Sequence, residues 1–91
     1  MTASDSTVQC WLVERSFGQR NLVTTIYATP DGSRYHQQER SSTALRTGSG
    51  VTAAIDVDEE KLQPVADEET RERYATEAER TAKQYEPDDP I

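Results

Sequence analysis

The chain has a single cysteine, Cys10, and no long apolar run. One cysteine excludes an intramolecular disulfide and offers no thiolate cluster for zinc. The apolar-rich runs reach only six or seven residues, whereas a membrane-spanning helix needs about 20. The first six residues show neither a basic start nor an apolar stretch, so no secretory signal is predicted. These absences favour a cytoplasmic protein without a membrane segment, a metal or another cofactor.

Lysine is also scarce, since the ten basic residues are eight arginines, Lys61 and Lys83. The chain has 17 acidic residues, which give a net charge of −7. Residues 1–50 hold four acidic residues and five arginines, whereas residues 51–91 hold thirteen acidic and five basic residues. Molar salt screens the repulsion within such a chain. The composition therefore resembles that of cytoplasmic proteins of halophilic archaea. An ordinary acidic protein from a non-halophile is the alternative.

The length of 91 residues fits one domain, residues 1–91, with a modest core. The apolar fraction of 33% is low, but the apolar residues are bunched in residues 8–13, 22–28 and 51–57. Such bunching favours a folded sheet over a disordered chain. The small and polar ends, residues 1–6 and 86–91, are predicted to be disordered tails.

Alternation of apolar and polar residues predicts strands, and a periodic stretch near the end predicts a helix. The strands are predicted at residues 8–15, 21–29, 34–41 and 51–58, and the helix at residues 68–85. Pro30, Asp31 and Gly32 form a strong turn signal between the second and third strands. Asp58 is expected to cap a short helical turn, and Asp67 is expected to cap the main helix.

The predicted fold is therefore α+β, a four-stranded antiparallel sheet of order β-β-β-β-α along the chain, with one C-terminal helix packed on one face. A plain meander would bury the polar third strand between two others. Pairing of the fourth strand with the first gives the spatial order 3-2-1-4 and leaves that polar strand at an edge. We favour the second arrangement, and the face that the helix covers stays open.

One short helix covers only one face of such a sheet, and the other face is the main candidate for contact with a partner. The candidate interaction face comprises Trp11, Val13, Val23 and Tyr27, and the alternative set comprises Val8, Cys10, Leu12, Ile26 and Ile55. Either set is too apolar to stay in water. We therefore predict a non-enzymatic protein-interaction module that acts as a homodimer. The alternative is a sheet that curls, with its termini covering the second face.

A basic strip on the third strand suggests a second function, contact with nucleic acid. Arg34, His36 and Arg40 share one face of that strand, and Trp11 and Tyr27 are the aromatic residues considered for base stacking. The overall acidity and the scarcity of lysine weigh against this alternative. Pairing of these arginines with the acidic helix is the simpler interpretation.

No catalytic, metal or phosphate motif stands out. Cys10 and His36 lie on different predicted strands and do not suggest a nucleophile pair. The acidic run at residues 56–60 lacks the glycine and the twelfth-position glutamate of a calcium-binding loop. The glycine-rich residues 47–50 precede a strand and lack the lysine of a phosphate-binding loop. We therefore predict no enzymatic activity.

Three stretches of the chain, residues 27–32 (YATPDG), 54–58 (AIDVD) and 70–80 (TRERYATEAER), carry a resemblance to known sequences. Together they resemble a family of short uncharacterised proteins from halophilic archaea, and the resemblance spans nearly the whole chain. It implies no activity and no functional residues.

Overall fold

The computed structural model describes residues 6–18, 21–41 and 51–91, which form one sheet and one helix. The elements are β1 (Thr7–Phe17), β2 (Leu22–Ala28), β3 (Arg34–Ser41), β4 (Ala54–Asp58), a 3-10 turn (Glu59–Lys61), β5 (Gln63–Pro64) and α1 (Glu68–Gln84). The predicted α+β class with an antiparallel sheet and one C-terminal helix is confirmed.

The sheet has five strands in the spatial order β4-β1-β2-β3-β5, and every paired neighbour is antiparallel. The prediction of four strands is therefore wrong. The missed strand, β5, has only two residues, one of them proline, so neither alternation nor β-propensity could reveal it. The order of the other four strands is the 3-2-1-4 arrangement, and the meander is excluded.

The sheet curls strongly, so that one of its faces is concave. β3 and β4 are separated by two strands, yet His36 of β3 and Val57 of β4 line the same cavity. The 3-10 turn carries the chain from β4 to β5, and Glu59 in this turn forms an ion pair of 3.7 Å with Arg34 of β3. A β-bulge between Leu12 and Glu14 interrupts the register of β1 with β2, and such bulges bend a strand.

The concave face is filled by side chains of the same chain. Its core consists of Cys10, Leu12, Tyr27 and Val57, with Leu62 among the residues packed against them. The Tyr27 hydroxyl donates a hydrogen bond of 3.2 Å to the Thr52 carbonyl. A curled sheet therefore buries this face without a second layer of helices.

Helix α1 covers the convex face. Ala78 packs against Trp11 in one cluster, and Tyr74 packs against Ala28 in another. The Thr81 hydroxyl donates a hydrogen bond of 2.9 Å to the carbonyl of Leu12. These contacts fix the helix across β1 and β2.

The ends of α1 follow the sequence closely. The Asp67 side chain accepts a hydrogen bond of 2.9 Å from the Thr70 N–H, as expected for an N-cap. Asp58 stands before the 3-10 turn but makes no side-chain capping bond, so the capping role predicted for it is wrong.

The last residues of the chain pair with the segment that leads into β4. The N–H of Ala53 donates to the Asp89 carbonyl, and the N–H of Ala54 donates to the Pro87 carbonyl, both at 2.9 Å. Ile91 packs against two of the three core clusters. The structure thus shows an ordered segment where the sequence predicts a disordered tail. The predicted tail at the other end falls outside the described residues, except for Ser6.

Candidate interaction surface

The four residues of the candidate interaction face do not share a face of the sheet. Trp11 lies opposite Ala28 and beneath the helix, whereas Tyr27 lies opposite Leu12 on the concave side. Val13 packs with the helix-side clusters, and Val23 shares the side of Tyr27. A register change of one residue exchanges the two faces, and the strand patterns alone do not fix the register.

Three of these four residues are also buried within one chain. The exposed fraction is 8% for Trp11 and 2% for both Val23 and Tyr27. In the alternative set, Val8, Cys10, Leu12 and Ile55 belong to the concave core, and Ile26 packs on the helix side. Neither set forms an exposed apolar face in the described part of the chain.

Cys10 is a buried thiol in the concave core. Burial raises the pKa of the Cys10 thiol to about 11, although the Arg34 guanidinium opposes this shift. A thiol with such a pKa carries almost no thiolate at neutral pH and is a poor nucleophile.

We therefore expect the native protein to react with a thiol reagent such as DTNB at pH 8 at least 100-fold more slowly than the denatured protein. The measurement is the release of the coloured thiolate with and without denaturant. Equal rates in the two states would show that the concave core is open.

The three residues of the basic strip are held together on the concave side of β3, as the sequence predicts, but in different surroundings. Arg34 is paired with Glu59 of the 3-10 turn, so the predicted pairing with the acidic helix is wrong for this residue. His36 lines a cavity of about 140 Å³ together with Asp58 and Lys61. Arg40 is exposed and forms no ion pair with any described residue.

An exposed aromatic residue, Phe17, was not selected from the sequence. Its side chain is 78% exposed at the end of β1. Phe17 lies opposite Val23, which lies opposite Arg40, so the three form one row across the sheet on the concave side. In the sequence, Gly18 indicates a turn at this position, so the strand was predicted to end at Arg15. Only a continuation of the strand pattern beyond Arg15 would have included Phe17.

The sequence places β3 at an edge of the sheet and allows a homodimer through a sheet edge, but it identifies no residues of that edge as a site. β3 pairs with β2 along its whole length, but β5 covers only Arg34 and Tyr35 on its other side. The Arg34 carbonyl accepts from Thr29 on the β2 side, so the alternate residues Gln37 and Glu39 direct their backbone N–H and C=O groups outward. These groups have no partner among the described residues.

A groove of about 370 Å³ lies between α1 and the β2–β3 turn. Its lining residues are Trp11, Pro30, Ala75, Thr76, Ala78, Glu79 and Ala82. Small alanine side chains beside a large indole leave this space open. The described residues contain no group of three or more His, Cys, Asp or Glu side chains arranged to hold a metal ion.

The fold and these surfaces define a small α+β domain with a buried core and an open strand edge at β3 in its described part. The chain belongs to a family of unknown function (DUF7967), which matches residues 4–91. No curated protein and no solved structure matches it. Within the described residues, no helix has the length and apolar character needed to cross a membrane.

Proposed function

We propose that the protein is a non-enzymatic interaction module that forms a homodimer by pairing β3 with β3 of a second copy. The observation that carries this proposal is the pair of residues Gln37 and Glu39 on the outer edge of β3, whose outward backbone groups have no partner among the described residues. An exposed strand edge is a template for pairing with another strand. Because both faces of the sheet are covered within one chain, the edges are the surfaces best suited to contact.

The edge of β3 lacks three of the features that usually prevent such pairing, although Glu39 and Arg40 are charged. Between His36 and Arg40 there is no proline, no lysine and no bulge, and the register with β2 is continuous. The opposite edge of the sheet differs, because the segment before Asp56 is covered by residues 87–91.

Charge selects one register for the antiparallel pair of β3 strands. A two-fold axis at Gln38 places Gln37 opposite Glu39 of the second copy, and His36 opposite Arg40. An axis at Gln37 would place Glu39 and Arg40 of the second copy opposite Tyr35 and Arg34, where β5 already pairs, and an axis at Glu39 would place that carboxylate opposite itself. Like charges directly opposite destabilise a strand pair, so the axis at Gln38 is favoured, with pairing limited to residues 36–40.

The test is sedimentation of the Gln37→Pro variant in concentrated KCl. Proline removes an outward N–H that has no partner within the described chain, so the fold is retained while one symmetric pair of intermolecular hydrogen bonds is lost. We expect a wild-type dimer and a monomeric variant, with at least a 10-fold weaker dimerisation constant. The matched control is Asp56→Pro, which makes the same change at the other edge and leaves the dimer intact. A monomeric wild-type protein, or equal dimerisation of both variants, would contradict the proposal.

Contact with single-stranded nucleic acid is the second candidate, and the exposure of Phe17 is the observation that favours it. Trp11 and Tyr27 are buried and cannot stack on bases, but Phe17 can. Arg15 and Arg40 lie on the same side of the sheet as Phe17. The proposed surface thus combines one stacking ring with cationic groups.

Fluorescence anisotropy with labelled oligo-dT and oligo-U, at the lowest salt that keeps the protein folded, tests this candidate. Arg40→Gln should weaken binding several-fold, and Arg71→Gln on the helix should leave it unchanged. Absence of binding at that salt would exclude the second candidate.

We further propose that the protein works in a salty cytoplasm and comes from a halophilic archaeon. The net charge of −7 and the scarcity of lysine support this proposal. The ion pairs among the described residues are exposed or half-exposed, including Glu79–Lys83 at 3.2 Å, so little stability is lost when salt screens them. Screening of the acidic surface should therefore raise the midpoint of thermal unfolding as KCl increases to molar concentration.

A further inference from the structure

We propose that the groove beside Trp11 binds a small neutral ring compound that carries a hydrogen-bond acceptor. The groove lies apart from the edge of β3, and its occupancy does not depend on dimer formation. Its volume of about 370 Å³ is within the range of ordinary small-molecule sites.

The indole N–H of Trp11 is the group that points to a ligand. Trp11 is 8% exposed, and its Nε1 donates no hydrogen bond to any described residue. All buried polar side-chain atoms in the described ranges have partners, so Nε1 belongs to the small exposed part of the indole. Trp11 lines the groove, so we place this part of the indole there, where a ligand acceptor can reach it.

The groove is held open by contacts on both of its sides. On one side, Gly32 lies so close to the helix that a Cβ there would stand 2.7 Å from the backbone nitrogen of Ala75. On the other side, the Thr81 hydroxyl is bonded to the Leu12 carbonyl at 2.9 Å. A site with fixed walls loses little entropy when a ligand binds.

The lining chemistry defines the class of ligand. Pro30 and the alanines of the helix offer apolar contact to a ring. The charged lining residue is Glu79, whose carboxylate disfavours an anion and is itself paired with Lys83. A neutral ring with one acceptor oxygen therefore satisfies the walls and the indole N–H together.

The experiment is an NMR titration of the full chain with three matched probes: benzamide, benzoate and toluene. The readouts are the single indole N–H resonance and the backbone amides of Ala75 and Ala78. We expect saturable shifts with benzamide, and at least 10-fold weaker binding of benzoate. Toluene, which lacks an acceptor, should bind several-fold more weakly than benzamide.

Two variants separate this site from a general apolar surface. Ala82→Leu fills the groove from an exposed helix position and should reduce benzamide binding at least 10-fold. The control is Ala66→Leu, which makes the same change at an exposed position between β5 and α1 and should not affect binding. Trp11→Phe should weaken the binding of benzamide several-fold and leave the binding of toluene unchanged. Because this variant has no indole N–H, its binding is measured from the backbone amides of Ala75 and Ala78. Absence of saturation with benzamide up to its solubility, or binding unaffected by Ala82→Leu, would overturn the proposal.

Discussion

Replacement of Gly32 with alanine is expected to lower the free energy of unfolding by about 3 kcal/mol or more. Gly32 has a φ of 73°, a conformation that disfavours any side chain. A Cβ at this position would also stand 2.2 Å from the Arg71 carbonyl oxygen and 2.7 Å from the Ala75 nitrogen. Both atoms belong to the helix backbone, so the turn and α1 would have to move apart.

Thermal and denaturant unfolding of Gly32→Ala measure this effect, and Gly18→Ala is the control. A Cβ at Gly18 meets its nearest atoms at 3.7 Å and 4.0 Å, which are ordinary contacts. We expect the control to change stability by less than about 1 kcal/mol. Equal stabilities of the two variants would show that the turn does not dock tightly on the helix.

Removal of residues 87–91 is expected to destabilise the protein by about 3–5 kcal/mol. Three backbone hydrogen bonds would be lost, those that join Pro87, Asp89 and Ile91 to residues 51–54. The side chain of Ile91 would leave the two core clusters that it touches. Its carbonyl also accepts a hydrogen bond of 3.0 Å from Arg15, which would be lost as well.

Chemical denaturation of the truncated and full chains measures this loss. Asp88→Asn serves as the control, because it removes an exposed tail charge and leaves the backbone pairing intact. The control should retain the stability of the full chain. A truncated chain as stable as the full one would mean that residues 87–91 are a dispensable tail, as their sequence alone suggests.

The sequence predicts the elements of this fold well, because each has a local cause. β3 is predicted with its observed bounds, since the Pro30-Asp31-Gly32 turn fixes its start. The cap at Asp67 and the first residue of α1 follow from a side chain that bonds to the next turn. The preference for an edge position of the polar third strand gave the correct order of the four main strands, although β5 then covers part of that edge.

The predicted surfaces fail where the cause is not local. Trp11 and Tyr27 were placed on one face, but the strand register places them on opposite faces. The bulge after Leu12 then moves Arg15 to the side of Tyr27, contrary to simple alternation. The curl of the sheet depends on a 3-10 turn that spans its concave side, and the ordered segment at residues 87–91 depends on backbone groups far away in the sequence.

The most direct test of the proposed dimer is hydrogen exchange at the outward amides of β3, measured at several protein concentrations. If β3 pairs with β3 of a second copy, the amides of Gln37 and Glu39 will exchange slowly in concentrated protein and faster on dilution. The outward amide of Asp56, on the other edge, will exchange fast throughout. Exchange of Gln37 and Glu39 at rates that do not change with protein concentration would contradict the account.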